Sequence, residues 1–162
     1  MDLFLIRHAT AADAAFYGSD EERPLTDGGR QQAQQVGEAL KKAGVAFDVM
    51  ITSGYVRADE TASLIAEALG YAGARSTDAR LAPEARPVEI IEGVIAGRTE
   101  ERVALVGHEP SMGKLLSALL GKPGLSMSKG AVVRLAWDGK RARLDWIVKP
   151  KKLDPSSELR DL

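Results

Sequence analysis

No cysteine occurs in the 162 residues, which removes disulfides and thiolate catalysis from consideration. That composition fits a reducing compartment, and the chain is expected to be soluble and cytoplasmic. A secretory leader is not expected either: Asp2 comes early, and the apolar run that follows is far too short for an h-region. No apolar run approaches the roughly 20 residues that span a bilayer, so no membrane partner is expected. Neither sign of charge dominates, with 22 Lys and Arg against 23 Asp and Glu. Without a basic field, nucleic acid is not an expected partner. Repeats, low-complexity tracts and linkers are also missing. The length suits one domain, residues 1–162, with a real core. Histidine is scarce: it occurs only at positions 8 and 108.

What is present alternates between strand and helix patterns. Leu3 to Ile6 is an apolar run suited to a buried strand. Residues 11 to 24 are polar and loop-like. "TDGGRQQAQQVGEALKKAG" predicts a helix capped by Thr26 or Asp27, with Ala33, Val36, Leu40 and Ala43 at helical spacing and Gly44 at its end. "FDVMITS" predicts a second buried strand. "RADETASLIAEALG" predicts a helix with Ala58, Thr61, Ala62, Ile65 and Leu69 on one face, and "PVEIIEGVIAG" a shorter one. "RVALVG" reads as a strand, and "PSMGKLLSALLG" as a helix with Pro110 in its first turn. Residues 130 to 137 and 142 to 148 read as a hairpin turning at "DGK". The tail after Pro150 is expected to be irregular. The alternation implies a three-layer α/β/α sandwich around a mainly parallel sheet, with the late hairpin adding antiparallel edge strands.

Three strands end in residues that packing does not require. The first gives Arg7 and His8. The second gives Thr52 and Ser53, with Arg57 one turn into the next helix. "RVALVG" gives Gly107 and His108. Both histidines therefore follow apolar strands, where open α/β sheets place ligands. Two arginines offer forked, permanently charged donors that match phosphate oxygens. The helix N-terminus after His108 would add backbone N–H groups. A neutral histidine can attack phosphorus, and a second can donate to developing charge. Phosphoryl transfer needs mainly positioning and charge stabilisation, so this set suffices without a cofactor or metal. Zinc would need further ligands beside His8 and His108. Glu109 could be one, but the flanking arginines repel a cation. "GHEPSMGKL" is not a Walker A loop: it has one residue too many between its glycines, and Leu115 stands where Ser or Thr should hold magnesium. No GxGxxG or GxSxG pattern accompanies the strands.

"LIRHAT", "RPLTDGGRQQA", "TSGYVRADETA" and "VALVGHEP", in this order and spacing, resemble the histidine phosphatase superfamily, which also contains the phosphoglycerate mutases. The short length and "DEERPLT" resemble its SixA-type phosphohistidine phosphatases. The resemblance implies a phosphoglycerate mutase-like fold without a large cap insertion. It implies that His8 is the nucleophile and that Arg7, Arg57 and His108 complete a phosphate pocket. Arg23 and Asp20 match family positions at the pocket mouth and would help bind substrate. The substrate would carry phosphate, with a histidine-phosphorylated protein as one candidate. Thr26 and Gly29 are expected to serve the helix start, Ser53 to cap the next helix, Thr61 to pack and Glu109 to act as a helix N-terminal charge. The chain departs from the pattern in three places. Ala9 replaces the usual glycine, Gly54 replaces a proline and is expected to loosen its loop, and Glu84 is the nearest candidate acid where larger members carry a long insertion. A mutase, a small-molecule phosphatase and a non-catalytic phosphate-binding module stay open as alternatives. Arg23, Lys149, Lys151 and Lys152 would suit acidic partners if they converge.

Overall fold

A computed structural model describes all 162 residues. Seven strands form one sheet: β1 (Asp2–Arg7), β2 (Val49–Thr52), β3 (Ala74–Thr77), β4 (Arg102–Gly107), β5 (Val132–Trp137), β6 (Ala142–Lys149) and β7 (Lys152–Ser156), in the order β3-β2-β4-β1-β5-β6-β7. The β3, β2, β4 and β1 strands run parallel, and β5, β6 and β7 add antiparallel pairings. The expected hairpin therefore does not lie at an edge: β5 pairs directly with β1. β7 extends the sheet where an irregular tail was expected.

Alternation along each strand builds two cores. Leu3, Leu5, Ile51, Val103 and Leu105 face one side, under α3 (Pro87–Ile90) and α4 (Ser111–Leu120). Phe4, Ile6, Met50, Ala104 and Val106 face the other, under α1 (Asp27–Lys42) and α2 (Val56–Leu69). Thr26 caps α1 by accepting from Gly29 N–H at 3.0 Å, while Ala43 lies exposed beyond its end. The third predicted helix is shorter than its pattern suggests: after Ile90 the chain widens into one π-turn, Ile91–Ile95. α1 and α2 approach closely at Gly37, where an added Cβ would stand 2.7 Å from that of Ala68. No helix is long and apolar enough to cross a membrane.

Candidate active site

The register of β1 against β4 puts Arg7 beside Gly107, so His8 and His108 leave the sheet side by side. β4 lies between β1 and β2, which places His108 between His8 and the Ser53 that follows β2. The rings of the two histidines are 5.0 Å apart. A cleft of about 500 Å³ opens here, lined by Arg7, His8, Asp20, Arg23, Arg57 and Glu109 among others.

His8 is 6% exposed. Its Nδ1 lies 2.7 Å from the Ala9 carbonyl, which can only accept, so Nδ1 carries the ring proton. Nε2 is left with a lone pair, which accepts from Arg57 Nε at 3.3 Å. Burial lowers the His8 pKa to about 4; the Ala9 bond opposes this, and the charges of Arg57, Arg7 and Arg23 reinforce it. A buried, neutral imidazole with an aimed Nε2 results. Ala9 N–H donates to Thr61 Oγ1 at 3.1 Å, and Thr61 in turn donates to the Arg57 carbonyl at 2.7 Å. The threonine expected merely to pack thus ties the His8 turn to α2.

Arg57 is 3% exposed and rises from the first turn of α2. Asp20 takes its terminal nitrogens, Nη1 by its carbonyl at 2.6 Å and Nη2 by Oδ2 at 3.0 Å. The other Asp20 oxygen meets Arg23 Nε at 3.2 Å. An ionised carboxylate offers a phosphoryl group no donor. Asp20 lines the cleft and holds two of its arginines in place.

His108 is 1% exposed and lies beneath the cleft. Its Nε2 is 2.7 Å from Ser53 Oγ, and that oxygen accepts from Tyr55 N–H at 3.2 Å. A serine hydroxyl can donate or accept here, and the other ring nitrogen, Nδ1, is buried without a partner. Burial lowers the His108 pKa to about 3, reinforced by His8, Arg57, Arg7 and Arg23. Ser53 does not cap α2 as expected, since Tyr55 holds the N-cap position without a side-chain cap bond; it holds the His108 ring instead. Tyr55, which the sequence reading passed over, covers the His108 ring at 4.8 Å and lies under the Arg57 guanidinium. Its only sequence signal is its place midway between Ser53 and Arg57.

Arg7 donates from Nη1 to the Met127 carbonyl at 2.8 Å, while its Nε is buried without a partner. Glu109 accepts from Gly113 N–H at 2.8 Å and from the Met127 backbone, and it faces Arg7. Burial raises its carboxyl pKa against these bonds. It is both the helix N-terminal charge expected and a wall of the cleft. Two first-turn amides of α4 are occupied: Met112 N–H goes to the His108 carbonyl at 2.8 Å and Gly113 N–H to Glu109. Glu84 is exposed and does not line the cleft. Gly54 has φ 84°, which proline cannot adopt, and its N–H is pinned to Thr52 Oγ1 at 3.1 Å. The substitution shapes the loop rather than loosening it.

The profile of the histidine phosphatase superfamily (branch 1) matches residues 3–82. An uncharacterized protein of Picosynechococcus is 32% identical over 151 residues, covering 83% of this chain and 84% of its own. The phosphohistidine phosphatase SixA of Escherichia coli is 30% identical over 126 residues, 74% of each chain. Among solved structures, a protein histidine phosphatase SixA complexed with tungstate superposes with a TM-score of 0.84 at 24% identity, covering 95% of this chain and all of that one.

Proposed function

Since this chain belongs to the histidine phosphatase superfamily and is a phosphatase of that superfamily, we propose that it hydrolyses phosphohistidine through a covalent intermediate on His8, without metal or cofactor. The observation that carries this reading is Arg7 Nε, a buried donor without a partner, beside a neutral His8 whose Nδ1 holds the ring proton and whose Nε2 bears the lone pair. An orphaned buried donor is costly, and a phosphoryl group would satisfy it. Arg57 Nε, which now donates to His8 Nε2, is a second donor that an incoming phosphoryl oxygen could take over. Tungstate, which the related SixA structure contains, is an oxyanion of similar shape to phosphate.

Nε2 of His8 attacks phosphorus in line as the bond from phosphorus to the substrate imidazole breaks. The departing imidazole takes a proton from water at the open cleft, and the water that attacks in the second step returns one to solvent. Water then attacks the phosphorylated His8, releasing phosphate and restoring the lone pair. Imidazole is a better leaving group than an alkoxide, so the exposed Glu84 is not needed as an acid. A cleft without a cap suits a phosphohistidine carried on a protein surface. The test is a rapid-quench trap with a phosphohistidine peptide and an aryl phosphate. Acid-labile, base-stable label should appear on His8 and decay with phosphate release, and His8→Ala should take none. Unlabelled protein during steady turnover would sink the covalent route.

A further inference from the structure

A second cleft adjoins the first. It has a volume of about 270 Å³ and is lined by Thr10, Gln32, Ser128, Lys129, Lys149, Pro150 and Lys151, with no acidic and no large apolar side chain. Lys129 lines both clefts, so the two are neighbours. In a protein of net charge -1, three lysines gathered with no Asp or Glu side chain in the lining form a local field that composition conceals. Lys129 and Lys151 are exposed and enter none of the ion pairs of the fold. Lys149 spends one donor on the Leu162 main-chain oxygen, at 3.4 Å. The neutral lining adds further donors. Gln32 Oε1 is held by both Thr10 N–H and Thr10 Oγ1, which leaves the Gln32 NH₂ group unspent. The basic rim expected from sequence is thereby redrawn. Lys149 and Lys151 converge with Lys129, whereas Lys152 pairs with Asp161 and Arg23 with Asp20.

We propose that this lysine-lined cleft docks acidic side chains flanking the phosphohistidine of a protein substrate. The inference rests on the phosphohistidine reading above. The lysines are flexible point charges at a rim, not forked arginines fixed around one phosphate. Together the two clefts also make a surface longer than a single phosphoryl group. Both features suit an extended acidic segment met at its surface. Rim charges of this kind act on encounter and KM more than on chemistry.

The test compares two phosphohistidine peptides, one with acidic and one with uncharged flanks, alongside an aryl phosphate, on wild type, Lys151→Glu and the double variant Lys149→Glu/Lys151→Glu. Neither lysine belongs to the catalytic cleft. At low salt, wild type should favour the acidic peptide by about tenfold in kcat/KM, through KM, and salt should erode the preference. Charge reversal should abolish it while aryl phosphate turnover is unchanged. Equal use of both peptides, or a preference that survives charge reversal, overturns the docking role and leaves the phosphohistidine reading standing. Aryl phosphate turnover with neither peptide hydrolysed overturns that reading, and the docking role with it.

Discussion

At the scale of single residues, the site works by keeping imidazoles uncharged. His8 should titrate near pH 4 in an NMR pH series of the free protein. The nucleophile then stays active as pH falls until about that value, and only below it is the lone pair lost to a proton. A midpoint near the ordinary 6.5 would mean the ring is solvated. Ser53→Ala removes both the partner of His108 Nε2 and the bond to Tyr55 N–H. We expect kcat to fall about tenfold, with KM little changed, through loss of the hydrogen bond that orients the His108 ring. Steady-state kinetics on an aryl phosphate checks this. Arg7, His8, Arg57 and His108 were legible in the sequence because each interrupts or follows an apolar strand where packing has no use for it. Ser53 and Thr61 were not. A hydroxyl's partner leaves no spacing signal, and Thr61 sits on the apolar face of α2 while bonding the Ala9 amide that sequence places far away.

At the scale of elements, glycine positions decide how closely the helices seat. A Cβ on Gly29 would stand 2.0 Å from the Thr10 carbonyl oxygen, a backbone atom that cannot rotate aside. Gly29→Ala should therefore push α1 off the segment that follows His8. The expected cost is about 2 kcal/mol in urea unfolding, with turnover falling too. Gly54→Pro, which would restore the common family residue, should destabilise here because the native φ is 84°. Wild-type stability in that variant would mean the loop has a second conformation. The buried strands and the long helices were readable from their periodicity. β3 and β7 were not: every residue of "ARST" is exposed, and "KLDPS" carries charges and a proline as edge strands do. Their pairing is dictated by the free edges of β2 and β6, not by their own composition.

At the scale of the whole molecule, two buried histidines link stability to acid. Their folded pKa values, about 4 and about 3, lie below the unfolded value, so the unfolded chain binds protons first. Stability should hold above about pH 6.5 and fall as pH drops from there toward 4. Glu109, whose pKa burial raises, works in the opposite direction in the same window. The carboxylates lowered by pairing, such as Asp48 beside Arg102, add their loss only at lower pH. Urea midpoints across this range check the slope. Phosphate or tungstate should offset the fall by binding only the folded state, by about 2.7 kcal/mol at a hundredfold excess over Kd. A thermal midpoint indifferent to either anion would argue against the phosphate pocket.

The strand order carries a consequence for how the protein is made. β4, which begins at Arg102, is inserted between β1 and β2, which leave the ribosome well before it. Until it emerges, the earlier strands have no common partner, and each presents an open edge on the side β4 will fill. The nascent chain must therefore wait, with apolar strands exposed, for residues 102–107, the piece that joins them. That same piece delivers His108. A ribosome-stalled chain released before β4 lacks both that histidine and the strand between β1 and β2, so it should be both inactive and prone to aggregate.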